Sequence, residues 1–107
     1  MIDSNTVLAA LPDPVLVIEQ NDRIAWVNTA AENFFGARSS SLRASTLQKL
    51  VTQDSPLITL LAQVRTQESG RSDHRVELTG PRIGSHRVDI RMLPIEGTTG
   101  QILVCIQ

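Results

Sequence analysis

At 107 residues, 41% of them apolar, the chain can fill one core and form one domain, and a net charge of −1 leaves no basic field for nucleic acid. No apolar run approaches the roughly 20 residues of a membrane-spanning helix, and the start, Met1-Ile2-Asp3-Ser4-Asn5, lacks the basic flank and apolar stretch of a signal peptide. The lone Cys105 excludes an internal disulfide, so a reducing, cytoplasmic setting away from membranes is expected.

In chain order, Asp3 or Ser4 can cap a short helix carrying Val7, Leu8 and Leu11 on one stripe. Pro12 and Pro14 stop it, because a residue preceding proline avoids helical angles. So short a helix is unstable alone and must rest on its own domain or on a partner. Val15 to Glu19 is apolar on both faces through Ile18, as in a strand covered on both sides. Asn21-Asp22 is a turn pair, and Arg23 to Val27 returns as the second strand of a hairpin, with Ile24 and Trp26 expected on one face.

Asn28 caps the next helix, Ala30, Ala31, Phe34 and Phe35 line its side, and Gly36 supplies a left-handed stop. Ser39 to Arg43 is polar and expected to be irregular. Ser45-Thr46-Leu47-Gln48 has capping-box spacing for another helical turn. Ser55-Pro56 opens the longest helix, cap first and proline at the first helical position, with Leu57, Leu60, Leu61 and Val64 as its apolar stripe and Gly70 just past its end. The remainder alternates as strands: Val76 and Leu78, then Val88, Ile90 and Met92, separated by a loop marked by Gly80-Pro81 and Gly84. Gly97 and Gly100 bracket another turn, and Ile102 to Ile106 closes the chain as an apolar run suited to a central strand. Helix, two strands, helices and three strands give an α+β plan, an antiparallel sheet with helices on one face.

Catalytic and metal signatures are missing. The glycines are isolated rather than gathered in a phosphate loop, and neither a CxxC pair nor HExxH occurs. His74 and His86 have no second soft ligand nearby in sequence, and Cys105, set in an apolar strand, is expected to pack as an inert thiol. Ser39-Ser40-Ser41 reads as loop material, and Trp26 as a core or interface residue. No catalytic, cofactor-binding or metal residue is therefore assigned. Charge is uneven: residues 1–36 hold five acids against Arg23, while residues 71–91 hold five arginines and two histidines against three acids. Such asymmetry can guide docking, and is also what a solvated surface shows.

The stretch Leu11-Pro12-Asp13-Pro14-Val15-Leu16-Val17-Ile18-Glu19, with Arg23-Ile24, Val27-Asn28-Thr29-Ala30-Ala31-Glu32 and Phe34-Phe35-Gly36, resembles the first half of a PAS domain. Glu19 matches the acidic residue that closes the family's first strand and Asn28 the asparagine that ends the second, while Asp22 stands where the usual turn glycine would be. Ser55-Pro56-Leu57, Gln63-Val64, Arg75-Val76-Glu77-Leu78, Pro81-Arg82-Ile83-Gly84 and Val88-Asp89-Ile90 are similar to the N-terminal PAS domain of nitrogen-regulation sensor histidine kinases of the NtrB type. The resemblance runs from about Val7 to Ile106.

It implies one PAS domain over residues 1–107, with an N-terminal helix over 1–11, a PAS core over 15–107, and a five-stranded antiparallel sheet of order 2-1-5-4-3. In such kinases the phosphoacceptor histidine and the ATP site lie C-terminal to this domain, so this chain is expected to carry no catalytic residue. The resemblance further implies a cytosolic homodimer working with the kinase domains of the same parent chain, without cofactor, nucleic acid or membrane. Val7, Leu8 and Leu11 are the candidate dimer and relay surface. The alternative is a PAS-type small-ligand sensor of another signalling protein. Here the photoreactive flavin run Asn-Cys-Arg-Phe is missing, and no histidine lies between Pro56 and Glu68 to bind haem iron. A profilin-like or longin-like domain shares the general plan, but the asparagine cap and glycine stop favour PAS.

Overall fold

The structure is a computed structural model and describes residues 12–107. The elements are β1 (Val15–Ile18), β2 (Ile24–Val27), α1 (Thr29–Phe35), α2 (Ser39–Arg43), α3 (Leu47–Leu50), α4 (Pro56–Gln67), β3 (Arg71–Gly80), β4 (Gly84–Pro94) and β5 (Ile102–Ile106). The N-terminal helix expected over residues 1–11 lies outside the described residues.

All five strands join in one antiparallel sheet of order β2-β1-β5-β4-β3. The two strands that are apolar on both faces, β1 and β5, therefore sit inside the sheet, paired to each other from Val15 opposite Cys105 to Ile18 opposite Ile102. Val27, Leu16, Val104 and Met92 lie opposite one another across four strands, all within the buried core. Ile18, Leu78, Ile90, Ile102 and Ile106 extend this inner face, and Leu57, Leu60, Leu61 and Val64 of α4 cover it together with Phe35, Leu42 and Leu47 of the shorter helices.

Helix ends follow local chemistry. Ser55 accepts a hydrogen bond from the Leu57 amide at 3.2 Å and Pro56 opens α4, as its sequence requires. Gly36 (φ 65°) ends α1 in the left-handed region. The left-handed residue ending α4 is Glu68 (φ 53°), whose amide donates to the Val64 carbonyl at 2.8 Å. Gly70 serves a different need, a close approach: a Cβ there would lie 2.4 Å from the Cδ2 of Leu93.

Three local expectations are corrected. Ser39–Arg43 is helical, because the Glu32 carboxylate accepts from the Ser39 amide at 2.8 Å and caps it, while Leu42 is buried beneath. The cap of α3 is Thr46 rather than Ser45, and it makes no side-chain cap bond; Gln48 turns away and donates to Asp22 at 2.6 Å. Ile24 and Trp26 do not share a face. Val17 pairs with Trp26 and Ile18 with Ile24, so a bulge skips Ala25 and reverses the alternation between them.

Candidate functional site

Opposite the helices, the outer sheet face carries a second apolar row. Trp26 of β2 lies opposite Val17 of β1, Val17 opposite Leu103 of β5, and Leu103 opposite Leu93 of β4. Directly opposed residues share a face, so these four side chains form one line across four strands. Trp26, Val17 and Leu103 are half-buried and Leu93 is 39% exposed, the one exposed large hydrophobic among the described residues. A contiguous apolar row on a sheet face marks an interaction site more often than a lone exposed leucine does.

Beside it runs a mixed row: Val15, Cys105, Arg91 and Ser72. Val15 is buried, yet stands outside the inner-face cluster. Cys105 is half-buried on this outer side rather than in the inner core. Burial pushes its thiol above the ordinary value, with Arg91 opposing and Asp13 adding to the rise, so it stays protonated. Further toward β3 the face turns polar, with Glu77 opposite Arg87 and Glu77 accepting from the Ser85 hydroxyl at 2.6 Å.

At the edge, β3 bulges between Asp73 and Val76, and Arg75 takes a left-handed φ of 52°. Asp89 of β4 fastens this bulge by accepting from the Arg75 amide at 2.9 Å, with the His74 ring 3.7 Å away. That backbone hydrogen bond holds the Asp89 carboxyl below its ordinary range; burial opposes it, and the nearby His74 and Arg75 side chains add to the lowering. The Asp89 backbone also exchanges two hydrogen bonds with Gln107, at 2.8 and 2.9 Å. The far histidine, His86, rests its ring 5.2 Å from that of Phe34 and contacts the Ile83 carbonyl oxygen at 2.7 Å. Among the described residues, no three His, Cys, Asp or Glu side chains gather as a metal site.

Two polar junctions hold the face in shape, each through partners remote in sequence. Asn28, 2% exposed, accepts from the Ala31 amide at 2.9 Å as the cap of α1. The same oxygen accepts from the Val15 amide at 3.0 Å, and the side-chain amide donates to the Asp13 carbonyl at 2.9 Å. One side chain thus fixes where β1 begins and where α1 begins. The capping role is legible in the sequence, whereas the bridge to β1 needs the fold.

Arg65 of α4 reaches the β1–β2 turn, donating to the Asp22 carboxylate at 2.7 and 3.0 Å, to the Glu19 carbonyl at 2.6 Å and to the Gly100 carbonyl at 2.9 Å. Asp22 itself is left-handed (φ 69°), the conformation that a turn glycine would take at no cost. The 43-residue separation of Arg65 and Asp22 hides the pair from sequence patterns. Val7, Leu8 and Leu11, the residues picked from the sequence as the dimer surface, lie outside the described residues. The row Trp26-Val17-Leu103-Leu93 was missed because the bulge in β2 reverses the face of Trp26.

The sheet order, the doubly apolar β1 and β5 and the helices gathered on one face define the α+β plan of a PAS domain. The PAS fold family matches residues 3–107, and the chain belongs to it. It is 33% identical over 97% of its length to the sensory histidine kinase/phosphatase NtrB of Rhizobium meliloti (strain 1021), and 36% identical over 94% of its length to the protein of the same name from Rhizobium leguminosarum bv. phaseoli. It spans 28% and 26% of the lengths of those relatives. Among solved structures, the PAS domain of nitrogen regulation protein NR(II) from Vibrio parahaemolyticus matches with a TM-score of 0.81 at 18% identity, covering 100% of this chain and 98% of that one. Among the described residues, no helix is long and apolar enough to cross a membrane.

Proposed function

We propose that this chain is the N-terminal sensory and dimerisation domain of a cytosolic two-component sensor histidine kinase that controls nitrogen-regulated transcription through a response regulator. The observation that carries the reading is the 33% identity to an NtrB kinase/phosphatase across 97% of the chain. The domain works by association and relay, and the phosphoryl chemistry belongs to the kinase domains of the same parent chain.

The surface best suited to association is the outer sheet face, and its occupant is a second copy of the chain. A two-fold axis through the middle of the row Trp26-Val17-Leu103-Leu93 sets the tryptophan end of one protomer against the leucine end of its partner, an isologous contact. Val7, Leu8 and Leu11 add their apolar stripe to this interface. The alternation along β5 supports it: Ile102, Val104 and Ile106 are spent on the core, which leaves Leu103 to the outer face.

Light scattering behind size-exclusion chromatography, over a range of concentrations, tests the assembly. The chain should approach twice its 11.7 kDa mass as concentration rises. Leu93→Glu and Leu8→Glu should each return it to the monomer with an unchanged circular dichroism spectrum. A strict monomer at high concentration sinks the dimer. A chimera in which this chain replaces the matching stretch of the Rhizobium meliloti relative tests the signalling reading. It should restore nitrogen-dependent reporter expression, and a folded but silent chimera would count against that reading.

A further inference from the structure

A pocket of about 240 Å³ opens between the short helices α2 and α3 and the β3–β4 turn. It lies at the edge of the domain, away from the row on the outer sheet face. Phe35, Leu42 and Leu50 give it an apolar lining, and Lys49 and Arg82 also line it. None of its lining residues is acidic. Its walls are tied together: the Thr52 amide donates to the Thr79 carbonyl at 2.9 Å, and Gly80 approaches so closely that a Cβ there would stand 2.2 Å from the Leu50 carbonyl oxygen.

The two cations have little else to do. Arg82 makes one long contact, 3.5 Å, to the Gly36 carbonyl, and neither side chain takes part in an ion pair among the described residues. Both are exposed, so placing them together costs little in the empty pocket. A concave apolar lining with a few convergent polar groups is how small-molecule sites are built. Two cations and no acid select an anion, and a guanidinium selects a carboxylate by paired hydrogen bonds. The volume falls below the usual span for drug-sized ligands, so the occupant has only a few carbon atoms.

We propose that this pocket binds a small carboxylic acid with a short apolar chain, the carboxylate held by Arg82 and Lys49 and the chain lying on Leu50 and Pro81, above the buried Phe35 and Leu42. The site stands independently of the assembly proposed above. The test is an amide NMR titration of the whole chain with hexanoate, set against 1-hexanol as the neutral counterpart and inorganic phosphate as the anion without an apolar chain. Hexanoate should give saturable shifts at the amides of Leu42, Ser45 and Ile83. Arg82→Gln and Lys49→Gln should each weaken binding by at least about tenfold, the scale of one lost hydrogen bond to a charged group. Both positions are exposed, so both variants should keep the wild-type spectrum elsewhere. Equal affinity for hexanol would reduce the site to an apolar crevice, equal shifts with phosphate to adventitious anion binding only, and either result overturns the proposal. So does the absence of saturation with hexanoate.

Discussion

Replacing Asn28 by alanine removes three hydrogen bonds; the one to the Asp13 carbonyl is only part-buried, and the other two, both buried, set the magnitude and can be separated. The first is the cap of α1, the bond from the Ala31 amide, and loss of such a cap costs about 1 kcal/mol. The second is the bond from the Val15 amide, buried where water cannot replace the lost acceptor, at a cost of about 1–3 kcal/mol. Together the Ala variant should lose about 2–4 kcal/mol, a large share of the roughly 5–15 kcal/mol that holds a domain folded. In a chain of this size that lowers the melting temperature by about 10–20 °C. Asn28→Ser keeps a capping hydroxyl but is too short to cap α1 and reach β1 together, so it should recover only the first part, about 1 kcal/mol. Urea unfolding followed by Trp26 fluorescence and circular dichroism measures both variants, with an unchanged m-value showing that the unfolded state is not the cause. A Ser variant as stable as wild type would show that the bridge to β1 contributes nothing. An Ala loss under about 1 kcal/mol would refute the whole assignment.

Arg65→Lys should destabilise by about 1–2 kcal/mol in the same unfolding assay, because an ammonium cannot serve Asp22, Glu19 and Gly100 at once; the partners are about a quarter exposed, which keeps the figure small. Lysine matching arginine would mean that net charge alone holds the junction. Asp89 gives a pH dependence: its folded pKa lies below the ordinary 3.8, so its stabilisation is complete above that value and lost as pH falls through the lower folded one. Between about pH 5 and pH 2.5 the wild type should therefore lose more urea resistance than Asp89→Asn, and parallel losses would show that the Arg75 amide bond is not felt.

The sequence carries the sheet better than the connections. Strand alternation in Val76, Leu78, Val88, Ile90 and Met92 reports burial directly, because each residue faces either the helices or the other side. The apolar runs of β1 and β5 report their inside positions for the same reason. The Ser55-Pro56 cap and the Gly36 stop are also local, since each needs only its neighbouring backbone. What failed depends on partners remote in sequence. Ser39–Arg43 becomes helical through a carboxylate from the preceding helix, so its own polar composition is a poor guide. Trp26 changes face through a bulge, and a single inserted residue reverses every alternation beyond it. Arg65 looks like one more solvated charge on α4, and only the fold brings Asp22, Glu19 and Gly100 around it.

The same contrast is the physical ground for proposing the outer face, rather than the core, as the surface of association. Side chains of the inner row are nearly all held by packing, and changing one would unfold the domain before it altered a signal. The outer row differs in a physical respect: its residues are large and apolar, yet Leu93 stays exposed while Gly70 gives up a side chain to admit it beside the start of β3. Stability alone would favour a polar residue at an exposed strand position, as at Glu77 and Arg87 on the same face. An apolar row kept on four strands, bordered by Arg87 and Arg91 of β4 and Glu77 of β3, matches the pattern of an apolar interface centre within a polar rim. The association proposed through that row would need no movement of the core, because β5 presents Leu103 outward while Ile102 and Val104 on either side of it remain fixed among the helices.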